Sequence, residues 1–511
     1  MNVLFISIDS LRWDFLSAYR DRPFGYDYAV ETPNLDHFAD RGTVFDTHYA
    51  GSLFCMPARR EWLTGTREFP WRGWGPIEPF DDTLPRIARS TGTVAGLVTD
   101  HYHYFQHGAS GYYEDFSGFE FVRGHEHDAW RTAPREIDAS FASQIQASDP
   151  DELSYMHRAQ YARNVANFDP EVESDFFAPK VFSRTAEWIE DNQCWDDWFC
   201  FVDSFDVHEP FHCPEPYASM YTDADPHNPE LPVWPRWGRL DAGQAAIDDQ
   251  SLAFVKAQFA GKVTMVDEWF GRLCDRLDAI DAWSDTVVIV TADHGFSLGD
   301  HGWLGKADGP LYDTLAHTPL LIWHPAYSET VDRVDALTSA VDLHPTIASL
   351  LGGETDGPHG RSVIPLLEGD AVSIRDAALY GIWGSDINVT DGRYTYHRQC
   401  DETRPATVNS TYQLNPRAVF HPPDPPEDLT VSKLPYAESP VWCYEVPSIS
   451  RQDDTMLFDT AVDPTQDHDV SSSASAERRR LRKLLASRLD DLSVPATEYP
   501  RINLDPPVAS D

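Results

Sequence analysis

The sequence predicts an α/β protein: a large, mostly parallel mixed sheet sandwiched by helices, followed by a smaller C-terminal α+β subdomain. Three observations predict it. Apolar runs of strand length end in polar groups at "NVLFISIDS" (2–10), "GTVAGLVTDHYH" (92–103), "DWFCFVDSFDVHEP" (197–210) and "DTVVIVTADHG" (285–295). Runs without alternation fit strands buried on both faces, as parallel strands are. Helical segments separate them, which is the βα pattern of a parallel sheet. Past residue 375 the pattern changes to short strands, so the expected division is 1–375 and 376–511.

Taken in order, "NVLFISI" opens the chain as a central strand and delivers Asp9 and Ser10 to its carboxyl end. "ETPNLDHFADRG" (31–42) reads as a helix with Thr32 as N-cap, Pro33 at the first position and Gly42 at the end. "SLAFVKAQFAGKVTMVDEWFGRLCDRLDAI" (251–280) is a long helix with apolar residues near every 3.6 positions. "PLLIWHP" (319–325) is a further strand and "HPTIASLLGG" (344–353) a further helix. Segments 110–180 and 211–250 are aromatic, Pro-rich and irregular, and read as insertions able to wall a pocket. "ALYGIWG" (378–384) and "GRYTYHR" (392–398) are strands of the second unit, with a Pro-rich loop at 421–426. "ERRRLRKLL" (477–485) is the solvated face of a terminal helix.

Composition narrows the function classes. The net charge is −43, from 83 acidic and 40 basic residues, yet 16 Trp and 13% aromatics speak for a packed chain rather than a disordered one. Such acidity fits a heavily hydrated surface suited to high salt, where self-repulsion is screened. It argues against nucleic-acid or anionic-membrane partners. Seven Cys without CxxC pairs argue against a disulfide framework or a zinc ribbon. No signal peptide or apolar run of membrane-spanning length is visible, which predicts a cytoplasmic protein.

In open parallel sheets, sites form at the carboxyl ends of strands. Asp9, the 100–103 cluster, His208 and Asp293-His294 all fall there. Asp293 and His294 side by side at a strand end suit a divalent metal, and Asp9 offers a third ligand. Gly295 leaves room beside His294 for a ligand to approach. Cys55 opens "CMPARREWLTG", just before a helical run. It is either a small buried hydrophobe or a nucleophile at a helix N-terminus.

These motifs together resemble the sulfatase family of the alkaline phosphatase superfamily. Its signature, Cys-x-Pro-x-Arg followed by x-x-x-Leu-Thr-Gly, is matched by Cys55, Pro57, Arg59 and Leu63-Thr64-Gly65. "TPNLDHFADRGTVFDTHYA", "ADHG…LGDHGWLGK", "VDLHPTIASLLG", "GRSVIPLLEG" and "LFDTAVDPTQDHDV" resemble family segments in the same order, across nearly the whole chain. The resemblance implies a catalytic first domain that hydrolyses a sulfate monoester. It implies that a formylglycine-generating enzyme converts Cys55 to formylglycine. As a hydrate, this aldehyde offers one hydroxyl to attack sulfur and another to expel sulfate afterwards, where an unmodified Ser or Cys would be left sulfated. It further implies that Arg59 holds the modified residue, that Lys306 binds sulfate and that His208 is the acid for the departing alcohol, His212 being a weaker alternative. One divalent metal is implied on Asp9, Ser10, residue 55, Asp293 and His294, with Ca²⁺ first and Mn²⁺ as the alternative.

Two departures stand out. The family's paired aspartates are here Asp9-Ser10, with one carboxylate fewer. Its Lys-x-His is here His101-Tyr102-His103: His103 keeps the histidine's catalytic role, and His101 on the substrate side makes the charge there pH-dependent. The alternatives are a phosphonate monoester or phosphodiester hydrolase of the same superfamily, and a non-catalytic metal-binding scaffold with Cys55 unmodified. The aromatic insertions are compatible with a sugar sulfate or another small-molecule ester.

Overall fold

A computed structural model describes residues 1–506 except 107–108, 133–134, 147–156, 171, 329, 356 and 413–427. The Pro-rich loop at 421–426 lies outside the described residues. Eight strands form the main sheet: β1 (Asn2–Ile8), β2 (Thr43–Phe45), β3 (Val94–Thr99), β4 (Gly118–Phe121), β5 (Trp198–Ser204), β6 (Thr286–Thr291), β7 (Leu320–Trp323) and β8 (Arg333–Val334), in the order β8-β2-β7-β6-β1-β5-β3-β4. β1 lies between β5 and β6, parallel to both, while β7 pairs antiparallel with β6 and β2. The sheet is therefore mixed but mostly parallel, as the unalternated runs predict.

β1 explains the layering. Val3 and Phe5 pack into the core on one face, Leu4, Ile6 and Ile8 into the core on the other, and all are fully buried. Each such side chain contributes about 1.5–3 kcal/mol on burial. The first face is covered by α2 (Cys55–Thr64), α3 (Leu84–Ser90) and α6 (Leu343–Leu350). The second is covered by α1 (Pro33–Arg41), α4 (Phe177–Asn192) and the 31-residue α5 (Asp249–Ala279). Every strand run stops short of its sequence reading: β3 ends at Thr99, β5 at Ser204 and β6 at Thr291. The polar residues beyond them are loops at the carboxyl ends, where they are free to converge.

Thr32 does not cap α1 with its side chain; its hydroxyl turns to Asp36. The cap comes from α5 instead. Asp267 accepts the N–H groups of Asn34 at 3.1 Å and Leu35 at 2.7 Å. Asp267→Ala is therefore expected to lower stability by about 1–2 kcal/mol, as loss of an N-cap does, with urea denaturation as the measurement.

The insertions pack against each other: Ile145, Tyr161, Phe177, Leu231, Val233 and Trp234 form a separate core with Phe254. Beyond the main sheet lie a four-stranded antiparallel sheet (378–381, 387–390, 394–398, 456–459) and a three-stranded one (406–410, 430–433, 440–446). The terminal helix α7 (Ser475–Asp491) buries Leu481, Leu485 and Leu489 against the first of these and leaves Arg478, Arg479, Arg480 and Lys483 exposed. Among the described residues no helix is long and apolar enough to cross a membrane.

Candidate active site

Cys55 is the first residue of α2. The loop before it is tied to the helix that follows: the Glu61 carboxylate accepts the N–H of Ser52 at 2.8 Å and its hydroxyl at 2.6 Å. The helix closes at Gly65, whose φ of 66° lies in the left-handed region. The Leu-Thr-Gly end of the motif is thus a helix stop, and its front end places the thiol. Cys55 Sγ lies 3.4 Å from His294 Nε2 and 3.3 Å from Lys306 Nζ. Lys306 Nζ is 4.0 Å from Asp9 Oδ1.

Asp9, Cys55, Asp293 and His294 each turn one potential ligand atom inward, and these atoms lie within 4.8 Å of one another. All four residues are buried. His294 donates from Nδ1 to the carbonyl of Gly295 at 2.7 Å, which leaves the Nε2 lone pair facing the cluster. Among the described residues Asp9 Oδ2 is buried without a hydrogen-bond partner of good geometry. Two carboxylates, a neutral imidazole and residue 55 therefore fit a divalent cation. Ser10, at φ 63°, donates its hydroxyl to Asp9 Oδ1 at 2.7 Å and its N–H to Asp293 Oδ1 at 3.1 Å, orienting both carboxylates. The room expected beside Gly295 is taken by the chain: a Cβ there would lie 1.9 Å from the Thr314 carbonyl oxygen.

Arg59 lies one turn beyond Cys55 and holds the cluster together. Its guanidinium binds Asp203 through Nε at 3.0 Å and Nη2 at 2.8 Å, reaches Asp9 at 3.0 Å, and pairs with Asp293. It also donates to the Cys55 carbonyl at 3.2 Å. Asp203, at the end of β5, was hidden within an apolar run; its signal was being the one carboxylate in "FCFVDS".

Burial pushes the Cys55 thiol well above its usual pKa; Lys306 opposes this and Asp9 adds to it. Unmodified, residue 55 is a poor thiolate, despite its place at a helix N-terminus. The carboxylates split: burial and then Asp293 push Asp9 up, whereas His294, Arg59 and Lys306 outweigh burial and hold Asp293 below the usual range. Burial lowers His294 to about 3, so it is neutral. Burial works against the charge on Lys306, but Cys55, Asp9, Glu209 and Asp293 prevail and keep it protonated.

The remaining sequence-derived residues form a second rank. His101 Nε2 is 3.5 Å from Asp9 Oδ2. Burial and then Arg59 hold it well below the usual histidine value, so it is neutral where the sequence pointed to a pH-dependent charge. His103 Nε2 lies 3.4 Å from Glu126. His208 stacks on Phe205 with centroids 4.1 Å apart, and the same ring meets His101 at 4.3 Å and His103 at 5.6 Å. Phe205, Glu126 and Glu209 were not singled out in the sequence; nothing marks Phe205 there beyond its place after a strand. His212 is not in this group. It packs against Phe141 and Phe176 in the insertion region, with Tyr161 Oη at 3.5 Å.

An α/β sheet with carboxylates, an imidazole, residue 55 and a buried lysine converging at its strand ends defines a class: α/β proteins with a strand-end candidate metal centre. The family model described as Sulfatase matches residues 1–353, and the chain belongs to the sulfatase family. Family membership makes it a hydrolase. The chain is 26% identical to a multifunctional alkaline phosphatase superfamily protein, PehA, of Trinickia caryophylli, over 72% of this chain and 77% of that one. It is 24% identical to an arylsulfatase of Clostridium perfringens, over 63% and 68%. In fold it is similar to a phosphonate monoester hydrolase of Agrobacterium radiobacter, with TM-score 0.64, 23% identity and 96% of each chain covered. It is also similar to a protein solved in complex with its substrate D-glucosamine-2-N,6-O-disulfate, with TM-score 0.63, 14% identity, and 97% and 99% covered.

Proposed function

We propose that this protein hydrolyses a sulfate monoester, with formylglycine at position 55 and one divalent cation. The carrying observation is the meeting of Cys55, Lys306, Asp9, Asp293 and His294 in one buried cluster, with Arg59 bridging the carboxylates. Asp9, Asp293, His294 and residue 55 would hold the cation, with the Ser10 hydroxyl beside Asp9; Ca²⁺ is the first expectation and Mn²⁺ the alternative. When bound, the cation supplies Lewis-acid polarisation of ester oxygens. A modifying enzyme that reads Cys-x-Pro-x-Arg would find its residues here as Cys55, Pro57 and Arg59.

The chain's own residues divide the remaining work. Lys306, charged and buried, would hold a sulfate oxygen beside residue 55. His101 and His103 would line the substrate side, His103 keeping its catalytic role. His208 would give its proton to the oxygen of the departing alcohol. We take residues 1–375 as the catalytic domain and 376–511 as the C-terminal subdomain. The net charge of −43 supports work in high salt without nucleic-acid or anionic-membrane partners, and a cytoplasmic setting is the expectation carried from the sequence. The substrate class is a small-molecule or sugar sulfate ester, and one structural relative was solved with a sulfated sugar.

The second reading, a phosphonate monoester or phosphodiester hydrolase, is favoured by Ser10 in place of an aspartate and by His101 in place of a lysine. Turnover of nitrophenyl sulfate against the matching phosphodiester and phosphonate esters separates the two, and faster phosphodiester or phosphonate cleavage would sink the sulfatase proposal. Mass spectrometry of the Cys55 peptide from the native host tests the modification. A thiol at full occupancy, with no turnover, leaves the metal-binding scaffold.

A further inference from the structure

His208 sits on a loop fastened from several sides. The N–H of Val207 donates to the Asp9 carbonyl at 3.0 Å, and that of His208 to the Phe205 carbonyl at 2.9 Å. Lys262, buried on α5, donates to the carbonyls of His208 and Pro210 at 2.8 Å each and pairs with Asp206 at 2.5 Å. The ring itself lies flat on Phe205. His208 Nδ1 is 2.7 Å from the Glu209 carbonyl, so Nδ1 carries a proton and Nε2 is left for the site.

The Glu209 side chain returns to the same ring. Its Oε2 is 3.4 Å from His208 Nδ1. Glu209 is 2% exposed, and this oxygen has no hydrogen-bond partner among the described residues. A buried carboxylate so placed is costly unless it faces positive charge, and the adjacent imidazole can supply it. The glutamate fills the middle position of the His-x-Pro match.

We propose that Glu209 is a positioning residue that lets His208 hold the second proton it must donate to the leaving alcohol. The inference rests on the function proposed above. As the S–O bond to the alcohol breaks, its electron pair takes the proton from His208 Nε2 and becomes an O–H bond. The imidazole is left neutral with Nδ1–H still on the Glu209 carbonyl, and a solvent proton restores Nε2–H. Other charges face the pair. Burial and then Lys306 push His208 well below the usual histidine value, His103 adds to this, Glu126 pulls the other way, and neutral His101 lies nearby. Burial lifts Glu209 to about 7 against Lys306 and Arg158, with Glu126 adding to the rise. Burial therefore works against charge on both groups, and the carboxylate 3.4 Å from Nδ1 is the contact on the ring that favours the imidazolium.

Phenyl sulfate and 4-nitrophenyl sulfate differ in how much their leaving oxygen needs a proton. With the full-length modified protein, Glu209→Gln is expected to lose roughly 100-fold in kcat on phenyl sulfate, and at least about ten-fold less on the nitrophenyl ester. The basic limb of its phenyl sulfate pH profile moves to lower pH, because losing the carboxylate favours the neutral imidazole. Glu209→Asp recovers part of the loss, and thermal melts of both variants establish that they fold. Equal losses on both esters, or none, overturn the inference and leave Glu209 a structural residue. If His208→Ala itself fails to discriminate between the esters, the acid role falls and this inference with it. If His208→Ala discriminates and Glu209→Gln does not, only the role of Glu209 falls. The same two phenols on phosphonate esters serve if that is the class turned over, and a modified wild type inactive on both classes overturns the inference.

Discussion

Arg59→Met is expected to lower the unfolding free energy of the metal-free protein by about 3–5 kcal/mol, the usual cost of leaving a buried charge unpaired. Arg59, Asp9, Asp203 and Asp293 are all fully buried in side chain, and the one guanidinium serves the three carboxylates. Methionine fills much of the volume but leaves the carboxylates facing one another. Lysine is not a substitute, because a single ammonium cannot copy the bidentate bond to Asp203. The pH dependence has a definite sign. In the wild type the Asp293 pKa is depressed below its unfolded value. That stability is present above the unfolded pKa and is lost as pH falls through the folded one. Without Arg59, Asp9, already raised in the wild type, rises further and Asp293 rises too, so in the variant more stability is lost as pH rises through their folded pKa values. The gap between the two proteins should widen from acid to neutral pH. Urea denaturation at several pH values measures it, and a loss under about 1 kcal/mol at neutral pH, the level of a surface pair, would remove Arg59 from the centre of this account.

Much of this arrangement is legible in the residues themselves. Parallel strands must be apolar on both faces, so β1, β3, β5 and β6 stand out as unbroken runs, and the groups ending them mark one edge of the sheet. That is how Asp9, Asp293 and His294 come together from positions nearly 300 residues apart in sequence. What is not legible is pairing across the fold. Asp203 looks like one polar residue in a strand until the Arg59 guanidinium meets it. The N-terminus of α1 carries Thr32, a good capping residue by local rules, yet Asp267 from α5 does the capping because helix packing brings a carboxylate there first. Gly295 suggests space for a ligand, and only the backbone of Thr314 explains why no side chain fits. His101 titrates near neutral pH by composition; complete burial beside Arg59 keeps it neutral. Local sequence reports periodicity and strand ends, whereas desolvation and long-range partners decide which groups are charged.

Cys55→Ala is expected to abolish turnover, by roughly 10⁴–10⁶-fold in kcat, the range seen when a nucleophile that acts as a unit with its neighbours is removed. The fold should survive, since alanine is small, suits the first turn of α2 and leaves the Arg59 network in place. A melting temperature that collapses with the activity would assign Cys55 to packing instead. Cys55→Ser is the sharper test, because it separates attack from release. Its hydroxyl sits where the thiol does, beside Lys306 and His294. It can attack sulfur and expel the alcohol, but it has no second hydroxyl on the same carbon to eject sulfate. The variant should therefore release about one equivalent of alcohol and stop, gaining the mass of one SO₃ group on the peptide that carries residue 55. Sustained turnover by the serine variant would show that release needs no aldehyde hydrate, and the chemistry of this centre would then be that of an ordinary hydroxyl nucleophile whose sulfated form is cleaved by water.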